Sequence, residues 1–165
     1  MQRRTLLSVM SLPVLAACGF ELRRAPQMGF NSLYANFGPK SPLGTEFRRA
    51  LAAQGQVRWI EDPAQLAQAQ VLLDVLTDQR EKAVVGSGAT GQVREYQLRV
   101  RLVFKLRTPK GRELLGETLL LQQRDISYNE TAALAKEQEE EQIYRDLQAD
   151  VVQRLLRRLA AVKGV

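Results

Sequence analysis

No histidine occurs among the 165 residues, and cysteine occurs once, at position 18. Without an imidazole, Ser/His/Asp and Cys/His nucleophile systems and His-ligated zinc sites are unavailable. One thiol also excludes an intrachain disulfide. No apolar run reaches the roughly 18 residues that a spanning helix requires. What remains is a chain with 45% hydrophobic and 25% charged residues and a formal net charge of +6. That balance suits one globular domain with a buried core, and it is too apolar for a disordered polyelectrolyte.

The first residues read as an address. Arg3 and Arg4 precede an apolar stretch, Thr5 to Leu15, interrupted only by Ser8, Ser11 and Pro13, and Leu15-Ala16-Ala17-Cys18 follows. This order of basic, apolar and small residues marks a secretory signal, here residues 1–17. The last four residues also resemble a bacterial lipobox, which would leave Cys18 as an acylated amino terminus. Several acyl chains, each contributing about 0.8 kcal/mol per buried methylene, make such an anchor effectively permanent. Gly19 replaces the Asp frequent in lipoproteins kept at the inner membrane, so the expected address is the outer membrane. Loss of residues 1–17 leaves 22 Lys/Arg against 18 Asp/Glu, and export argues against a nucleic-acid partner. Residues 18–29, with Pro26 and Gly29 and no period, read as a tether, and residues 30–165 as one domain.

Within that domain, residues 30–37 predict a first strand. Ser41-Pro42 gives a cap and a proline at the first helical position, and Gly55 sits where a helix stops, predicting a helix over 42–54. Residues 57–60 read as a short strand before Asp62-Pro63, a second cap. From Val71 the pattern becomes strand. Gly86, Gly88 and Gly91 predict a flexible loop before the clearest strand, 95–107. There Tyr96, Leu98, Val100, Leu102, Phe104 and Leu106 share one face, and Arg99, Arg101, Lys105 and Arg107 the other. Thr108-Pro109-Lys110-Gly111 is turn chemistry, so 112–125 reads as a hairpin partner. Residues 131–163 form a long helix with an apolar stripe of Leu134, Tyr144, Leu147, Val151, Leu155, Leu159 and Val162. The expected fold class is α+β: a two-layer sandwich of about four mainly antiparallel strands packed by two helices.

Between Arg94 and Arg112 stand seven Lys/Arg and one acid. Arg99, Arg101, Lys105 and Arg107 could hold phosphates, with Arg80, Lys82 and Arg124 enlarging the patch, or could be merely the solvated side of a half-buried strand. Asp74 and Asp78, four apart, read as exposed same-face carboxylates without a catalytic geometry. The acidic run 137–141 reads as a solvated helix face, and Trp59 as a core or rim aromatic. Nothing in the spacing calls for a metal or a cofactor, and no residue is assigned a catalytic role.

The chain resembles the LptE family of lipopolysaccharide-assembly lipoproteins from Gram-negative outer membranes. The resemblance rests on Cys18-Gly19-Phe20-Glu21-Leu22-Arg23, on the glycine loop leading into Glu95-Tyr96-Gln97-Leu98, on Leu134-Ala135-Lys136-Glu137, and on Leu155-Leu156-Arg157-Arg158-Leu159. It implies a protein that is not an enzyme, that plugs an LptD-like β-barrel and assists its assembly, and that binds lipopolysaccharide during delivery to the outer leaflet. It also implies a lipopolysaccharide contact at Lys136 and a basic residue in the loop before Glu95. That loop carries no base at the matching place, which leaves Arg94 or Lys82 to substitute. The alternatives are a lipid-anchored envelope enzyme, a purely structural lipoprotein, and an anionic-ligand-binding lipoprotein with another envelope partner.

Overall fold

The structure, a computed structural model, describes residues 27–128 and 133–163; the signal and lipobox residues, Cys18 and Leu134's side chain lie outside what it describes. The elements in order are β1 (Ser32–Ala35), α1 (Pro42–Gln54), β2 (Arg58–Ile60), a 3-10 helix (Pro63–Gln68), β3 (Val71–Ser87), β4 (Val93–Arg107), β5 (Glu113–Ser127) and α2 (Ala133–Ala160).

α1 forms where local chemistry places it. Ser41 Oγ accepts from the Gly44 amide at 2.7 Å, Pro42 opens the first turn, and Gly55 ends the helix with φ 64°. Gly44 is buried against Phe37, so a Cβ there would lie 2.6 Å from the Phe37 Cβ. Gly44→Ala should therefore destabilise the domain by about 1–3 kcal/mol through overpacking, although alanine gains about 1 kcal/mol in helix propensity. A denaturant melt reads the sign.

The sheet has five strands in the order β2-β1-β3-β4-β5. It is mixed: β1 runs parallel to both β2 and β3, while β3–β4 and β4–β5 are antiparallel. The expectation of about four mainly antiparallel strands is corrected accordingly. α1 carries the chain from β1 back to the start of β2, and the 3-10 helix does the same from β2 to β3. Such crossovers make parallel neighbours.

Both helices pack on one face of this sheet. The alternation on β4 is as read, with Leu98, Val100, Leu102, Phe104 and Leu106 all essentially inaccessible. They meet Leu43, Phe47 and Leu51 of α1 and Leu147, Val151, Leu155 and Leu159 of α2 in one core. On the other face, a small cluster of Ile60, Ala69 and Leu72, flanked by Tyr34 and Leu66, closes only the corner beneath the 3-10 helix. Among the described residues, no element covers the rest of that face.

β3 is longer than its sequence suggests. It passes through Gly86 to Ser87, leaving residues 88–92 as the connection to β4, where Gly91 takes φ 80°. A register shift between Val75 and Thr77 inserts one extra residue, Leu76, which is 49% exposed. A bulge of this kind reverses the alternation that follows it. Before it, Leu73 and Val75 face the helices; after it, Asp78, Arg80 and Lys82 lie opposite Leu102, Val100 and Leu98, the core residues of β4. Asp74 and Asp78 therefore do not share a face, contrary to their spacing.

Candidate ligand-binding surfaces

Two charged surfaces result, one on each side of the sheet. On the open side, Arg99, Arg101, Lys105 and Arg107 form the cationic row that strand periodicity implied. Each is only half-exposed. Glu81, across the ladder on β3, pairs with Arg101 at 3.2 Å and Arg99 at 3.8 Å, and Asp74 pairs with Arg107 at 2.6 Å. The hydrogen bonds that Arg107 donates to Asp74 hold its guanidinium still more firmly protonated than usual; burial opposes this less strongly, and the Asp74 charge adds to it. Among the described residues, Lys105 meets no carboxylate within 4 Å. Cations therefore exceed their carboxylate partners on this face, which leaves it able to attract anions.

On the helix side, the reversed alternation of β3 feeds a polar layer between β3 and α2. Arg80 donates to Gln148 at 2.7 Å and to Glu141 at 3.1 Å, and its guanidinium lies 5.0 Å from the Tyr144 ring centroid. Lys82 reaches Glu140 at 2.5 Å and sits 4.4 Å from the Tyr96 ring centroid. Arg124 on β5 pairs with Asp146 at 3.7 Å. Arg80, Lys82 and Arg124 thus do not enlarge the open-face patch; they face the other way. The acidic run of α2 is not simply solvated either, since Glu140 and Glu141 are the partners of Lys82 and Arg80. Asp78 accepts from the Ser41 hydroxyl at 2.5 Å, tying β3 to the cap of α1.

Tyr144 closes this layer, donating to the Glu81 carbonyl at 2.8 Å. Burial, and then the nearby Glu140 carboxylate, push its phenol above the ordinary value of 10.0. A raised phenol pKa means that the fold favours the neutral ring; its contribution is whole below the unfolded value and is lost as pH rises through the folded one. Tyr144→Phe should cost about 1 kcal/mol near neutral pH. Relative to the parent chain, the variant should also lose stability less steeply above about pH 10, as read by melts over a pH series.

The residues singled out in the sequence divide between these surfaces. Arg99 and Arg101 stand together on the open face. Lys82 is on the helix side, and Arg94, at an even position with Tyr96 on β4, shares that side by alternation; it is exposed beside Gly88. Lys136 lies in the opening turns of α2, half-buried and paired with Glu139 at 2.7 Å. The five therefore do not converge on one pocket. Sequence reasoning missed Glu81 as the shared counter-ion of Arg99 and Arg101, and the edge-to-face pair Tyr96–Tyr128, with centroids 5.2 Å apart. Only the cross-strand register reveals either. Trp59, expected in the core or at its rim, is half-buried at the rim, set edge-on to Phe47 with Arg48 above it.

The described residues hold no group of three or more His, Cys, Asp or Glu placed to bind a metal, and no described helix is long and apolar enough to cross a membrane. A sheet with one face packed by helices and the other presenting ion-paired arginines belongs to the α+β modules that offer a charged sheet surface. More specifically, the sequence pattern of the LptE family, described as lipopolysaccharide-assembly, matches residues 30–159, and the chain belongs to that family.

Solved structures agree. An uncharacterized lipoprotein B from Nitrosomonas europaea superposes with a TM-score of 0.73 at 25% identity, covering 87% of this chain and 91% of that one. The rare lipoprotein B of Shewanella oneidensis gives 0.64 at 26% identity, with 79% and 95% covered. A minor lipoprotein from Acinetobacter baumannii shares the fold, at 0.65 and 20% identity over 84% and 98%. No match was found among curated proteins.

Proposed function

We propose that the chain is an outer-membrane lipoprotein, anchored through acyl chains on Cys18, whose domain sits as a plug in the lumen of an LptD-like β-barrel. In that position it assists barrel assembly and binds lipopolysaccharide on its way to the outer leaflet. Family membership supports the assembly role. The observation that carries the remainder is the open sheet face, with Arg99, Arg101, Lys105 and Arg107 in one row. A barrel lumen is polar, so a plug must present a polar, partly charged surface to it. Arginine offers paired donors and lysine a point charge to the phosphates of a glycolipid, and such contacts strengthen where water is scarce. Lys82 and Arg94, near the turn between β3 and β4, and Lys136, in the opening turns of α2, are the further candidate contacts. No covalent step is asked of the protein; its work is binding that orients an amphiphile.

Purification through a C-terminal tag from detergent-solubilised outer membranes tests this reading. One large β-barrel should co-purify in comparable amount, with lipopolysaccharide detectable by stain. Absence of a barrel would leave the chain a basic envelope domain with some other partner.

A further inference from the structure

The two edges of the sheet are unequal. β2, at one edge, is three residues long, whereas β5, at the other, is fifteen and has no neighbour beyond it among the described residues. A long free edge presents a row of unpaired amides and carbonyls, and folds commonly protect it with proline, lysine or a covering element. β5 contains neither proline nor lysine. Beside it runs a groove of about 440 Å³ lined by Leu120, Arg154, Arg157, Arg158 and Ala161. Gln122 of β5, with its amide oxygen toward the helix, accepts from Arg154. That contact fixes this arginine ridge on the β5 flank of α2. Among the described residues, neither Arg157 nor Arg158 has a carboxylate partner. On the opposite side of the same strand segment, Leu119 is 52% exposed and Leu121 is half-buried.

We infer that the free edge of β5 and the Arg154/Arg157/Arg158 ridge together form an acceptor site for an extended polypeptide segment whose residues alternate acidic and apolar. Side chains on a strand alternate between faces, so a segment paired along Leu119 to Gln123 places every second residue on the helix side and the others on the open side. The helix side offers guanidinium groups and the open side offers Leu119 and Leu121; acids toward the first and aliphatics toward the second satisfy both. The strand's backbone supplies pairing, and the alternation supplies selectivity. A second copy of this chain fits poorly, because a two-fold pairing of β5 edges brings two arginine ridges together. An anionic lipid headgroup would answer the arginines but would leave the edge's backbone groups and Leu119 unmatched. The inference goes beyond the barrel-plug reading: it rests on the edge of β5 and the arginine ridge of α2, and adjoins the open-face row only where Leu121 lies opposite Arg101.

The test uses the full chain in detergent micelles and a fluorescent peptide of alternating Glu and Val. Binding should appear as raised anisotropy, together with slowed amide exchange in residues 119–123. The same peptide N-methylated along its pairing edge should not bind, nor should one with Lys in place of Glu. Arg157→Glu with Arg158→Glu should weaken binding about tenfold or more. Arg48→Gln with Arg49→Gln, on α1 and away from β5, should leave it unchanged. No binding by the Glu/Val peptide, or equal binding by its N-methylated form, overturns the inference. Arg157- and Arg158-dependent capture of phosphatidylglycerol vesicles without protection of β5 overturns it as well, and would make the ridge a lipid site. None of these outcomes depends on recovery of a barrel.

Discussion

Replacing Phe104 by alanine should remove about 3–5 kcal/mol of stability and lower the melting midpoint by roughly 10 °C. Phe104 lies toward the C-terminal end of β4, inaccessible to solvent, in the cluster where α1 and α2 meet the sheet. A domain of this size holds only about 5–15 kcal/mol in total, so the variant should be partly unfolded at moderate temperature. Conversion of the half-exposed Val103, the next residue, to alanine should cost far less, because its side chain points to the open face. Thermal melts of the two variants decide the matter; equal losses would mean that the inward and outward faces of β4 are misassigned.

The second large effect concerns the open face. Charge reversal at Arg99 and Arg101 should reduce lipopolysaccharide binding by about tenfold or more, since it would set two further carboxylates beside Glu81. The milder pair Arg99→Gln and Arg101→Gln should fall between parent and reversal, with the fold intact by circular dichroism. Both effects should shrink in high salt, because contacts this exposed are screened. Binding by the reversed variant equal to the parent's would sink the open-face account and return attention to Lys136 on α2 and to Arg94 and Lys82 near the turn between β3 and β4.

These expectations differ in how far the sequence alone could support them. The helix over 42–54 was legible to the residue, because Ser41, Pro42 and Gly55 act on their nearest backbone groups and on nothing distant. The inward face of β4 was legible because six apolar residues at alternate positions admit one reading. The family resemblance drew on Cys18 to Arg23, on the glycine loop and Glu95 to Leu98 at the start of β4, and on Leu134 to Glu137 and Leu155 to Leu159 in the last helix. The cationic row followed directly from the other parity of β4.

What escaped was set by partners far along the chain. The parallel pairing of β1 with β2 and β3 is decided by where the crossovers return the chain, and strands of three or four residues carry no mark of their neighbour's direction. The extra residue at Leu76 has no sequence signature of its own; only the ladder with β4 shows that Asp78, Arg80 and Lys82 turn toward α2 while Asp74 stays with Arg107. From that one inserted residue follow the polar layer under α2, the pairing of Glu140 and Glu141, and the separation of Lys82 from Arg99 and Arg101. By itself the sequence determined the caps, the alternation of β4, the presence and apolar stripe of α2 and the excess of positive charge, all of which depend on residues within a turn or a strand of one another; α2 itself ends at Ala160, short of the expected 163. The tertiary structure alone decided which face each charge occupies and which strands stand at the sheet's edges, because register and strand order are properties of segments that meet only after the chain has folded.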